Sequence, residues 1–176
     1  MSLARVRSLV ILGALVVVAV VIVTWTLLSD DQGHPGNAAA SCGPSQTPAA
    51  TKIPAEKAVT LNIYNSTDRD NLAKATADQF AARGFKVGQV SQDPLQKVIA
   101  GSAELRYGPA EVGAAQLLKA YLPGATAAFD INRTTGAQAN TVDVVLGAKY
   151  TQLNTPAQVK EAIVALGDPS APPGTC

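Results

Sequence analysis

The chain has 176 residues, 47% of them hydrophobic and 15% charged, with a formal net charge of +1. Its basic residues form no clustered stripe, which excludes a nucleic-acid surface or a polybasic lipid surface. A single histidine, His34, and two cysteines are too few for a zinc site or for a Ser-His or Cys-His nucleophile inside the folded part.

The first element is Leu9 to Leu28, LVILGALVVVAVVIVTWTLL, which carries no charge. At about 1.5 Å per residue it is long enough, as a helix, for the roughly 30 Å hydrocarbon core of a bilayer. Arg5 and Arg7 precede it and Asp30 and Asp31 follow, so residues 1–8 are expected in the cytoplasm and the rest outside. A cleaved signal peptide is the competing reading, but its apolar region is shorter and ends in small residues. Here Trp25, Leu27 and Leu28 stand in that place, and the AASC at Ala39 to Cys42 lies far downstream. The expectation is a retained single-pass signal anchor over 9–28. Removing Arg5 and Arg7 from the 14 basic residues leaves 12 against 13 acidic ones outside.

Residues 29–57 are rich in Gly, Pro, Ala and Ser without apolar periodicity and read as a flexible extracytoplasmic linker. As a coil its reach is on the order of 30 Å, which keeps the domain near the outer membrane surface. Cys42 lies in this linker and Cys176 at the end of the sequence. An oxidising exterior permits a disulfide between them, and two unrelated thiols are the alternative.

About 120 residues then remain for one domain, predicted over 58–167 with a tail at 168–176. Val59, Leu61 and Ile63 alternate with Thr60, Asn62 and Tyr64, the period of a strand with one dry face. Thr67, with Asp70 three positions on, predicts a helix start, and the helix runs to about Arg83. Gly84-Phe85 predicts a Schellman-type stop, and Phe85 to Val90 a second strand. After Pro94, Leu95 to Ala100 reads as a helical turn.

The pattern then repeats. Ala103 to Tyr107 is a predicted strand, and Pro109 stands at the first position of a helix through Glu111 to Leu122. Ala127 to Ile131 follows as a strand, Asn132 to Asn140 as a polar loop, and Val142, Val144 and Leu146 as a fifth, alternating strand. Thr155-Pro156 caps a last helix through Leu166, with Val159, Ala162, Ile163 and Leu166 inward. The expected fold is α/β: two β-α-β halves in series, about five strands and three helices, after one transmembrane helix.

Neither a P-loop nor a GxGxxG fingerprint occurs, and no cofactor is implied. Carboxylate pairs are available as Asp130 with Asp143, on neighbouring predicted strands, and as Glu104 with Glu111. Asn65, Ser66, Thr67, Arg106, Tyr107 and Arg133 fall near predicted strand ends, where α/β folds bind ligands. The alternative is a turn with its cap for Asn65 to Thr67, and a solvated strand end for Arg106 and Tyr107.

The strand-turn-helix VTLNIYNSTDRDNLAKATADQFAARGFKV, then AELRYGP, then TVDVVLGAKY resembles the C-terminal domain of LytR-CpsA-Psr proteins. Asn65, Gly84-Phe85, Tyr107-Gly108 and Val144-Val145-Leu146-Gly147 carry the resemblance, over residues 58–150. Ser66 departs from the glycine many members carry. The arginine and aspartate cluster of the family's catalytic domain has no counterpart, so glycopolymer ligation is not implied. An anchor followed by this domain alone resembles an actinobacterial envelope-integrity type of protein. The resemblance implies a non-enzymatic role in maintaining wall and envelope, by contact with a LytR-CpsA-Psr ligase or another envelope protein.

Two β-α-β halves also resemble the SPOR peptidoglycan-binding architecture, which would hold a glycan on an exposed sheet face. Asn62, Tyr64, Asn65, Arg106 and Tyr107 are the candidate ligand-binding residues. A carboxylate-based hydrolase is the third reading. An apolar patch favours a protein partner, a groove of Tyr, Asn and Arg favours peptidoglycan, and a cleft with two facing acids favours hydrolysis.

Overall fold

The computed structural model describes residues 42–43 and 46–176. The expected anchor at 9–28, with Arg5, Arg7, Trp25 and His34, lies outside these residues. Among the described residues no helix is long and apolar enough to cross a membrane.

β1 (Thr60–Asn65), α1 (Leu72–Ala82) and β2 (Lys86–Gln92) make the first β-α-β unit. β3 (Ala103–Tyr107), α2 (Val112–Tyr121) and β4 (Ala125–Phe129) make the second, followed by β5 (Val142–Leu146) and α3 (Pro156–Leu166). Both units are parallel pairs of neighbouring strands, not split by an intervening strand. β5 joins them, parallel to β1 and antiparallel to β3, giving the sheet order β2-β1-β5-β3-β4.

Leu61, Ile63, Ala103, Leu105, Val142, Val144 and Leu146 point to one face, where they share a core with residues of α1, α2 and α3. Val59, Leu61, Ile63, Phe80, Leu105, Leu118 and Leu122 are almost without solvent contact there. Phe80 stands edge-on to Phe85 with ring centroids 5.2 Å apart, and Phe85 edge-on to Tyr121 at 4.9 Å. The expected Schellman stop brings the first pair together: Gly84 N–H donates to Ala81 C=O and Phe85 N–H to Phe80 C=O. Gly84 holds a left-handed φ of 93°, which a side chain would strain.

Three local expectations are corrected. The helix expected from Thr67 begins at Leu72, because Asn65 Oδ1 accepts both the N–H and the hydroxyl of Thr67. Thr67 Oγ1 in turn accepts from Arg69 N–H, so it is committed to a turn ahead of the helix. Leu95 to Ala100 is not helical, since the Asp93 carboxylate accepts the N–H groups of Leu95 and Lys97 and Gln96 takes a positive φ. β4 starts two residues earlier than expected, at Ala125.

The linker is also shorter than expected, because residues 46–57 are laid onto the domain. Ala50 N–H donates to Pro109 C=O, Gly113 N–H to Ala50 C=O, and Ala49 and Ile53 pack against the core. The tail is tied down as well. Cys42 and Cys176 form a disulfide across a sequence separation of 134, and Ala49 N–H donates to Cys176 C=O.

α3 begins as its sequence indicates, with Thr155 and Gln158 forming a reciprocal capping box ahead of Pro156. Val159 is buried, Ala162 and Ile163 are half-buried, and Leu166, expected inward, is 40% exposed.

Phe80→Ala removes the centre of the aromatic cluster and is expected to cost roughly 3–5 kcal/mol in urea denaturation. A midpoint equal to the parent's would refute this placement of the core. For Cys42→Ser combined with Cys176→Ser, the chain-entropy treatment gives a loss of about 5 kcal/mol for so long a loop. Matching unfolding midpoints for the parent under oxidising conditions and the double variant would remove the disulfide's role.

Candidate functional site

Among the described residues, no helix covers the second face of the sheet. Asn62 and Tyr64 from β1, Asp143 and Val145 from β5, and Glu104 and Arg106 from β3 project there. The segment between β2 and β3 crosses one end of this face and buries Ile99 against Tyr64 and Val145.

Gly147, which closes β5, makes this crossing possible: Ala148 N–H donates to Ile99 C=O and Lys149 N–H to Gly101 C=O. A Cβ on Gly147 would run into the backbone of Ile99 and Gly101.

The polar side chains here are occupied with one another. Arg106 grips Asp93 with two parallel bonds, Nη1 to Oδ1 at 2.6 Å and Nη2 to Oδ2 at 2.9 Å. Its Nε donates to Glu104 Oε1 at 2.8 Å, and Lys97 Nζ reaches Glu104 Oε2 at 2.6 Å. Further along, Arg133 Nη1 lies 3.0 Å from Asp143 Oδ2, while Asn62 Nδ2 donates to Asp143 Oδ1 at 2.8 Å. Arg133 also donates to the carbonyls of Arg106, Gln138 and Thr141.

Three cations thus answer three carboxylates, and the face is close to neutral. Among the described residues, no buried side-chain nitrogen or oxygen lacks a hydrogen-bond partner.

Titration follows from these contacts. Burial alone would raise Asp93, but the bonds from Arg106 and from the Leu95 and Lys97 amides hold it below the ordinary carboxylate range. Burial likewise works against Glu104, which Lys97 and Arg106 nonetheless hold low. The hydrogen bond to Asp93 is the main cause that raises Arg106. Glu111 goes the other way, pushed up to about 7 by burial against the opposing charge of Arg133.

The structure brings three of the five expected ligand residues together, Asn62, Tyr64 and Arg106. Each is engaged: Asn62 on Asp143 and the Gln89 amide, Tyr64 on Gln89, and Arg106 on two carboxylates. Asn65 and Tyr107 belong to the helix-covered face of the strands, though Tyr107 also lines the pocket beside β4 together with Tyr64 and Arg106. Asn65 organises the turn after β1, donating to Arg69 C=O, and Tyr107 stacks obliquely on Phe129 with centroids 5.8 Å apart.

The carboxylate pairs are corrected too: β3 stands between β4 and β5, so Asp130 and Asp143 are not on neighbouring strands, and although both line one pocket, Asp143 is engaged there by Arg133 and Asn62. Glu104 sits on the open face, while Glu111 ends the 3-10 turn Pro109–Glu111. Among the described residues no acidic, His or Cys cluster could hold a metal.

What remains accessible is a pocket of about 350 Å³ beside β4, with Tyr64, Leu95, Arg106, Phe129, Asp130 and Arg133 in its wall. Near it the loop exposes Leu95 by 68% and Val98 by 81%. Sequence reasoning missed Asp93 and these two apolar side chains; the Asp-Pro after β2 was the one local sign of a turn there.

The family model described as LytR cell envelope-related transcriptional attenuator matches residues 58–150. The chain belongs to this LytR C-terminal family. Among solved structures, its fold is similar to the soluble domain of a conserved hypothetical secreted protein (Rv2700 ortholog) from Mycobacterium marinum. The TM-score is 0.53 at 18% identity, covering 73% of this chain and 93% of that one. No curated protein matches. Several residues that carry the LytR C-terminal resemblance have structural tasks here: Asn65 in the turn, Gly84-Phe85 in the helix stop, Gly147 under the crossing segment.

Asp93→Asn leaves Arg106 short of a buried counter-charge and is expected to cost on the order of 3 kcal/mol at pH 7. The folded-state pKa of Asp93 is depressed, so its contribution is full above about pH 4 and disappears as pH falls through the folded value. Urea titrations should therefore show the gap between parent and variant closing in acid; a gap that widens in acid would contradict this sign.

Proposed function

We propose that this LytR C-terminal protein is a non-enzymatic accessory of the cell envelope, working outside the cytoplasm by contact with another envelope protein. The observation that carries the reading is the division of the open face: its polar groups are paired internally, while Leu95 and Val98 stand in solvent beside them. Apolar side chains held out on a loop suit a protein contact, whereas a glycan site needs polar groups free to bond the sugar. The Cys42–Cys176 disulfide suits an oxidising compartment, as does the likeness to a protein described as secreted. A single-pass anchor at Leu9 to Leu28 would keep the domain at the outer face of the plasma membrane.

A LytR-CpsA-Psr ligase is the partner class this family membership favours, in an actinobacterial envelope of the kind the Mycobacterium neighbour comes from. The pocket beside Tyr64 supports peptidoglycan as a second reading.

A photo-crosslinking amino acid at Leu95 and at Val98, used in cells, tests the proposal. A discrete crosslinked protein unchanged by muramidase digestion is expected. A crosslinked ladder that collapses on digestion would move the assignment to peptidoglycan.

A further inference from the structure

The sheet ends in two edges built on different principles. β2 carries Lys86, and its register against β1 shifts between Leu61 and Ile63, a bulge where Asn62 Oδ1 accepts from the Gln89 amide. Bulges and charges are devices that keep an edge from pairing with foreign strands. β4, ATAAF, has neither charge, proline nor bulge, and keeps unbroken register with β3 from Ala125 to Phe129.

Asp130 N–H donates to Tyr107 C=O, so by alternation Thr126 and Ala128 turn their backbone groups to β3. Ala127 and Phe129 then present theirs outward, and among the described residues no backbone group is bonded to them from that side.

The pocket lies against this edge, with Ala128, Phe129 and Asp130 in its wall. Its other charges, Arg106, Arg133 and Asp143, are paired. Asp130 makes no ion pair among the described residues; its Oδ1 accepts only from Asn132.

We propose that β4 accepts an extended polypeptide segment of a partner protein as a sixth strand, with a Lys or Arg side chain of that segment entering the pocket toward Asp130. Main-chain bonds to Ala127 and Phe129 supply affinity, and the alternate side chain beside Ala128 supplies selectivity. A second copy of this chain is a poorer occupant. Paired through β4 it would bring no cation to Asp130, and an edge about 17 Å long is small against the area a stable dimer buries. The proposal deepens the reading of this protein as one that contacts another protein, and rests on it.

The test uses the 176-residue chain in detergent micelles and short fluorescein-labelled peptides of alternating Thr and Val, with Lys or with Glu at the centre. Anisotropy should show the Lys peptide binding several-fold more tightly, and Asp130→Asn should remove that preference. N-methylating two alternate peptide nitrogens on the ladder side should weaken binding by about tenfold, and methylating the other set should not. Ala127→Pro should produce a similar loss, with an unchanged melting temperature, because the nitrogen it blocks faces outward.

No binding of either peptide, equal binding of both, or insensitivity to N-methylation would overturn the proposal. So would a dimer in sedimentation that Ala127→Pro dissociates. Crosslinks from Leu95 and Val98 that survive Ala127→Pro while the peptides fail to bind would leave the envelope-contact reading standing without this one.

Discussion

β5 is hydrogen-bonded along both edges and covered on both faces, and the rest of the domain answers to that burial. All five of its residues are buried, including Asp143. A carboxylate in that position is costly unless a cation and hydrogen bonds accompany it. Arg133, delivered by the loop between β4 and β5, and Asn62, from the neighbouring strand, meet the requirement. One strand therefore joins two β-α-β units that would otherwise end at two further unprotected edges.

The same constraint explains why the helix-free face offers few free groups. Segment 93–101 covers part of it, so the charges beneath must satisfy each other. Arg106, held by Asp93 and Glu104, ties β3 to the end of β2 across the intervening strands. Ion pairs of this kind contribute little net stability compared with apolar packing, and their better-attested use is to fix register. The groups left for intermolecular contact lie at the margin, on the Leu95–Val98 loop and along the outer side of β4. Much of the polar surface legible in the sequence on this face acts as an internal brace.

Local chemistry was readable where neighbours in sequence are also partners in space. The alternation in β1, the Gly84-Phe85 stop and the Thr155-Pro156 cap are satisfied within a few residues of themselves. Thr67 and Leu95 to Ala100 misled because Asn65 and Asp93 compete for the same amides and hydroxyls, and two local solutions of similar energy look alike in sequence. The period of two placed Asn62 and Tyr64 on one face correctly. It could not indicate that Arg106 would spend its donors on Asp93, thirteen residues away.

The sequence by itself determined the composition of each element, the α/β class, the family and the availability of two cysteines for one bond. Each of these follows from short-range periodicity, turn chemistry or a motif in order along the chain. Tertiary structure alone decided the insertion of β5 between the two units, the docking of residues 46–57 and the pairing of the open-face charges. It also decided which strands became edges. Those outcomes depend on contacts between residues far apart in sequence, where burial sets the cost of an unpaired charge and no local pattern records which partner will meet it.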